Sequence, residues 1–206
     1  MKKIITTLLM VIMMLSLASC SEKPNSIKVL DKEGIAPYDL SDEGEDILQS
    51  FGMENDSQII TFKAPEEVIT INVNVYRLEN FEKWTLIGES AISIGEEREP
   101  IEQLEGTFTM QLQENYVIDF HINCAGRMSS QSEEIVFDSE SMASTKAFLQ
   151  EFQEIKLNTE IPVALMVYDS GTSMRSHSLQ DYFEPTEFEG MDLVQAVTLE
   201  FSDKEL

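Results

Sequence analysis

The sequence predicts a mainly β fold: an antiparallel β-sandwich, jelly-roll-like or immunoglobulin-like, carrying one or two short helices. Three observations lead there. From residue 58 onward, apolar and polar residues alternate with period two, as on a strand with one face in a core and one in water. The alternating runs are joined mostly by polar turns rather than helix-length segments, which favours antiparallel neighbours. Eight or nine such runs occur with no internal repeat and no low-complexity tract, and two sheets of that size bury their apolar faces by stacking on each other. A closed barrel is the alternative.

Residues 20–38 read as a polar tether containing Pro24, Gly34 and Pro37. Residues 39–51 are acidic, with Ile47, Leu48 and Phe51 spaced for one helix face. Asp39 or Ser41 is placed to cap this helix and Gly52 to stop it, while Gly44 weakens it. Ile60 and Phe62 mark the first strand. Ile69, Ile71, Val73 and Val75, alternating with Thr70, Asn72 and Asn74, mark the clearest one. Trp84 with Leu86, and Ile92 with Ile94, follow. Leu104, Phe108, Met110 and Leu112 then share a face, and Gln113-Glu114-Asn115 turns tightly into the next strand to complete a hairpin. That strand sets Tyr116, Ile118, Phe120, Ile122 and Cys124 against Asp119, His121 and Asn123, so the Cys124 thiol faces the core as a small hydrophobe. Ile135 and Phe137 mark a short strand. Met142, Thr145, Leu149 and Phe152 lie along one side of a helix expected over 141–152. Ile161, Val163, Leu165 and Val167, and then Leu193, Val197, Leu199 and Phe201, form the last two strands.

The N-terminus carries a different signal. Lys2 and Lys3 precede an uncharged, mostly apolar run over residues 4–17, and Leu17-Ala18-Ser19-Cys20 follows. The run is 14 residues long, short of the roughly 20 that a membrane-spanning helix needs. It reads as a removable signal core. Small side chains before the cut suit a peptidase, and a thiol just after it suits acyl transfer. This looks like a bacterial lipoprotein signal with its lipobox. The resemblance implies removal of residues 1–19 and a diacylglyceryl thioether on Cys20, often with an added N-acyl chain such as palmitate. It also implies attachment to the extracytoplasmic face of the cell membrane. Residues 39–206 then form one β-rich globular domain. The stretch Glu160-Ile161-Pro162-Val163-Ala164-Leu165, with Glu187-Phe188-Glu189-Gly190 and Ala196-Val197-Thr198-Leu199-Glu200-Phe201-Ser202, resembles uncharacterised lipoproteins of Gram-positive bacteria. It carries no catalytic motif.

Composition narrows the partners. Removing Lys2 and Lys3 with no acid takes the formal net charge from −24 to −26. Such a field repels nucleic acids and anionic lipid head groups, so no nucleic-acid partner is expected. The chain has two histidines, His121 and His177, and neither stands in a metal-ligating motif. There is no Cys-x-x-Cys, no Gly-rich phosphate loop and no Gly-x-Ser-x-Gly elbow. No cofactor or metal is expected. Acidic clusters at 42–46, 96–99 and 133–134 lack the spacing of a calcium loop and read as solvated surface.

The most site-like stretch runs over residues 169–178, a polar loop after a core strand that holds Arg175 and His177. Tyr182, Phe183 and Phe188 follow, separated by acids. Donors beside aromatic faces suit a sugar or a peptide. Arg175, His177, Tyr182 and Trp84 are therefore the candidate ligand-binding residues, although Trp84 shares a face with Leu86 and suits the core better. The expected function is a membrane-anchored surface lipoprotein, a non-enzymatic module for binding, adhesion or envelope assembly. Its candidate partners are a glycan, a peptide or an envelope protein. The alternative is an exported glycoside hydrolase using two carboxylates. A two-lobed solute-binding subunit is disfavoured by the chain's size and its lack of strand–helix alternation.

Overall fold

The computed structural model describes residues 30–95, 103–136, 143–171 and 175–206. Cys20 and the signal, the acidic run 96–99, Phe137 and Met142 lie outside the described residues. The strands are β1 (Gly34–Pro37), β2 (Ser57–Lys63), β3 (Thr70–Glu79), β4 (Lys83–Ser93), β5 (Glu105–Leu112), β6 (Ile118–Asn123), β7 (Arg127–Gln131), β8 (Ala143–Phe148), β9 (Glu160–Asp169) and β10 (Leu193–Ser202). They form two five-stranded antiparallel sheets, ordered β1-β2-β5-β6-β7 and β4-β3-β10-β9-β8. The expected sandwich is what forms; the sheets do not close into a barrel.

The core follows the period-two pattern. Ile60 and Phe62 from β2, Ile71, Val73 and Val75 from β3, Phe108 and Met110 from β5, Ile118, Phe120 and Ile122 from β6, and Val197, Leu199 and Phe201 from β10 are buried between the sheets. Phe62 and Phe201 meet edge-on across the interface at 5.7 Å. Cys124 is half-buried against this cluster as a free thiol, and burial raises its pKa. The helix α1 (Asp42–Ser50) is capped by Ser41, whose hydroxyl accepts from the Gly44 N–H at 3.3 Å. Gly52 ends it at φ +66°.

Two lateral contacts shut the sides of the sandwich. Ile35 and Gln153 exchange backbone bonds of 2.9 Å in each direction, joining β1 to the strap that leaves β8. On the other side the Glu133 N–H donates to the Ile87 carbonyl at 2.8 Å. Two hairpins turn through an Asn-aromatic pair in the left-handed region, Asn80-Phe81 and Asn115-Tyr116. Tight hairpins favour positive φ at such positions and usually place glycine there. Here each aromatic packs instead: Phe81 against the outer cluster described below, and Tyr116 edge-on to Tyr168 at 4.9 Å.

The structure corrects several expectations. The helix expected over 141–152 is the edge strand β8, because β9 is apolar on both faces and β8 supplies its free side with backbone partners; tertiary pairing overrides the helical spacing. The strand expected at Ile135 is an extended loop, although Ile135 itself is buried in the core. The tether expected to run to residue 38 contains β1, with Ile35 fully buried, so the folded body starts earlier. Ile161 and Val163 do face the main core, but Leu165 and Val167 do not. A bulge opposite Val197–Thr198 shifts the register, so Ala164, Met166 and Tyr168 point inward beyond it. A bulge in β4 opposite Val75–Tyr76 likewise sets Trp84 and Leu86 on the outer side with Leu78 and Tyr76.

Gly106 tests the packing of the first sheet. A Cβ built there would stand 2.1 Å from the Asn123 carbonyl oxygen. Gly106→Ala should therefore force β5 from β6 and cost about 1–3 kcal/mol, the usual range for overpacking, measured by urea denaturation. Gly52→Ala, with nothing within 4 Å of the added methyl, should lose only the cost of a side chain in the left-handed region, about 1–2 kcal/mol.

Candidate functional site

The second sheet is buried on both faces at its centre. Leu165, Val167, Val194 and Ala196 project outward from β9 and β10 and join Leu78 in a second apolar cluster. The long connection from β9 to β10 covers them. It carries two 3₁₀ turns, Leu179–Phe183 and Pro185–Phe188, from which Tyr182 and Phe188 pack down onto the sheet. Trp84 stacks on Tyr182 with ring centres 5.0 Å apart, and its Nε1–H donates to the Tyr182 carbonyl at 3.0 Å. Phe188 sits edge-on to Trp84 at 6.2 Å and beside the His177 ring at 5.0 Å.

Three of the four residues singled out from sequence thus converge. Trp84, Tyr182 and His177 meet around Phe188, in a packed cluster rather than around an open hollow. Trp84 belongs neither to the sandwich core nor to a free surface. Leu86, its neighbour on that face, is 43 % exposed. Arg175 is exposed and stands apart from Trp84, Tyr182 and His177, with no place among the described residues that line the hollows below.

Glu160, at the start of β9, organises the covering segment. Its Oε1 accepts from Tyr76 Oη at 2.5 Å, Asn74 Nδ2 at 2.9 Å and Thr198 Oγ1 at 3.3 Å, and its Oε2 accepts from Tyr182 Oη at 2.8 Å. One carboxylate thereby ties three strands to the segment above them. Burial raises the pKa values of Tyr76 and Tyr182, and the bonds to Glu160 with its negative charge raise them further. Tyr168 is raised mainly by burial.

His177 is held in one tautomer. Its Nδ1 lies 3.2 Å from Asp181 Oδ2. Burial opposes the Asp181 charge, but bonds from the Ser178 N–H, the Ser178 hydroxyl and His177 outweigh it and hold the carboxyl below its usual pKa. An ionised carboxylate only accepts, so Nδ1 carries a proton, and whenever the ring is uncharged Nε2 presents a lone pair. The His177 side chain is 5 % exposed, and Nε2 has no hydrogen-bond partner among the described residues.

Two hollows flank this segment. One, of about 400 Å³, lies between the strap and the first 3₁₀ turn and is lined by Gln153, Lys156, Glu160, Gln180 and Phe183 among others. The next, of about 520 Å³, is lined by Lys146, Gln150, Glu151, Gln153 and His177. Gln153 and Leu179 belong to both, so the two make one groove along the side of the second sheet. Phe183, 55 % exposed, stands at its wall, held edge-on by Tyr182 at 5.2 Å. A third hollow, of about 530 Å³, lies at the end of the sandwich near α1 around the Lys146–Asp56 ion pair, and no residue singled out from sequence lines it. No group of three or more His, Cys, Asp or Glu among the described residues is arranged to hold a metal ion.

Sequence reasoning missed Glu160 and Gln153. Glu160 left one signal, a single acid opening an apolar strand; Gln153 left none. Comparison with protein-family models, curated proteins and solved structures finds no match.

The raised tyrosines set an alkaline limit. The unfolded chain releases these protons near pH 10, before the folded chain does. Above that pH the folded state holds more protons, so stability falls as pH rises. The double variant Tyr76→Phe/Tyr182→Phe should flatten the fall in melting temperature between about pH 10 and 11.5. At pH 7 it should be destabilised by about 1.5–3 kcal/mol for each bond to the Glu160 carboxylate removed.

Proposed function

We propose that the chain is a lipid-anchored module on the extracytoplasmic face of the cell membrane that binds a ligand without transforming it. The observation that carries this reading is the sequence Leu17-Ala18-Ser19-Cys20 placed after two lysines and a short apolar run. Acyl chains on Cys20 supply the attachment, since two or three chains hold a protein stably where one does not. Among the described residues, no helix is long and apolar enough to cross a membrane. The ligand end of the reading rests on the groove beside the β9–β10 connection, where polar side chains and an exposed aromatic ring share one concave wall.

The second reading, a glycoside hydrolase working through two carboxylates, would draw on Glu154 and Glu160 in this groove, since both line the first hollow. It is the weaker one. Both Glu160 oxygens already accept bonds from side chains of the fold, which leaves that carboxylate committed to structure.

Cys20→Ala decides the anchor. The native chain should sediment with membranes, incorporate labelled palmitate and show a mature N-terminus at a modified Cys20 by mass spectrometry. The variant should lose the label and leave the membrane fraction. Retention of the variant in washed membranes, or an unmodified thiol at position 20, would refute the reading.

A further inference from the structure

We infer that the groove binds an uncharged glycan chain, with the Phe183 ring as platform for one sugar face and Nε2 of His177 as acceptor for a hydroxyl proton. This inference rests on the reading of the chain as a binding module and names its ligand.

Three independent observations meet here. The first is shape: two hollows of about 400 and about 520 Å³ share Gln153 and Leu179, which suits an elongated ligand better than a compact one. The second is the exposed aromatic. An apolar side chain on a covering segment normally packs down, as Tyr182 and Phe188 do, yet Phe183 stays 55 % exposed with its ring edge-on to Tyr182. An exposed ring with two side-chain torsions offers a flat apolar surface to the C–H face of a sugar at low entropic cost. The third is His177. A buried polar atom without a partner is costly. With Nδ1 turned to Asp181, Nε2 of the uncharged ring is an acceptor that has no partner among the described residues, and a hydroxyl is a donor that completes it. Nε2 is shielded from solvent, so occupancy requires a small side-chain movement at the wall of the second hollow.

Charge selects against the other ligand classes. The walls carry both signs, Lys156 with Glu154 in one hollow and Lys146 with Glu151 in the other, so neither presents a single-sign field. The overall charge of −24 repels anionic chains. Cations find the Glu160 oxygens already occupied. Primary amides, Gln153 and Gln180 in the first hollow and Gln150 in the second, both donate and accept, as a polyol requires.

The test uses the full chain, purified and titrated with neutral hexasaccharides: β-1,4-glucan, β-1,4-mannan, α-1,4-glucan and chitohexaose. Binding is read by calorimetry and by the imidazole ¹⁵N signals of the two histidines. At least one sugar should bind and move the His177 Nε2 signal while leaving His121 in place. Phe183→Ala, an exposed position that spares the fold, should weaken binding about tenfold, equivalent to about 1.4 kcal/mol, whereas Phe183→Tyr should stay within about threefold. Affinity should change less than about twofold between low and high salt, because no ion pair is made. The inference is overturned if no hexasaccharide moves the His177 signal, if Phe183→Ala binds as the native chain does, or if binding collapses in salt. Capture of a basic decapeptide with no glycan signal would overturn the ligand class and leave the binding-module reading standing. Failure of the Cys20→Ala fractionation would instead remove the anchored reading and leave the groove result untouched.

Discussion

The architecture turns on a sheet that is apolar on both sides. β9 and β10 bury residues toward the sandwich core and, at the positions between them, toward the outside. A two-layer sandwich covers only one of these faces. The outer residues must find a third layer or stand in water, and the connection between the same two strands provides it. Tyr182 and Phe188 close over Leu165, Val167 and Val194, and Trp84 locks the closure by stacking on Tyr182. The groove follows from this. A covering segment that ends short of the sheet's margin leaves a trough between itself and the strap after β8, and His177, Leu179 and Phe183 line that trough because they belong to the cover.

Glu160 gives the cover its position. Dispersion and burial would hold an aromatic segment to an apolar sheet in many orientations, since neither is directional. A carboxylate that accepts from two tyrosines, an asparagine and a threonine permits few. Four donors around one half-buried acid also explain how the charge is tolerated there.

Much of this was legible in the chain. The sandwich, the core faces of β2, β3, β5, β6 and β10, and the Ser41 cap all follow from local pattern, because alternation and capping are encoded within a few residues. The convergence of Trp84, Tyr182 and His177 was suggested by residue type, yet its form was not. A bulge is a one-residue event with no compositional mark, and the bulges in β4 and β9 are what turned Trp84, Leu165 and Val167 outward. β8 was misread because Thr145, Leu149 and Phe152 suit a helix face equally well; only the open margin of β9, invisible locally, makes it a strand. Glu160 was hidden for the same reason, since its four donors come from places as far apart as Asn74 and Thr198.

The link between Ile35 and Gln153 acquires a mechanical meaning in an anchored protein. Were the chain anchored as proposed, a pull from the membrane would reach the described body at the N-terminal end of β1. There it meets only four residues paired to β2, together with the reciprocal bonds to the strap. The strap is also one bank of the groove. Tension between a surface-bound ligand and the bilayer would therefore run through Gln153 itself, so that the residue shared by both hollows is also the rivet through which load would reach the occupied groove.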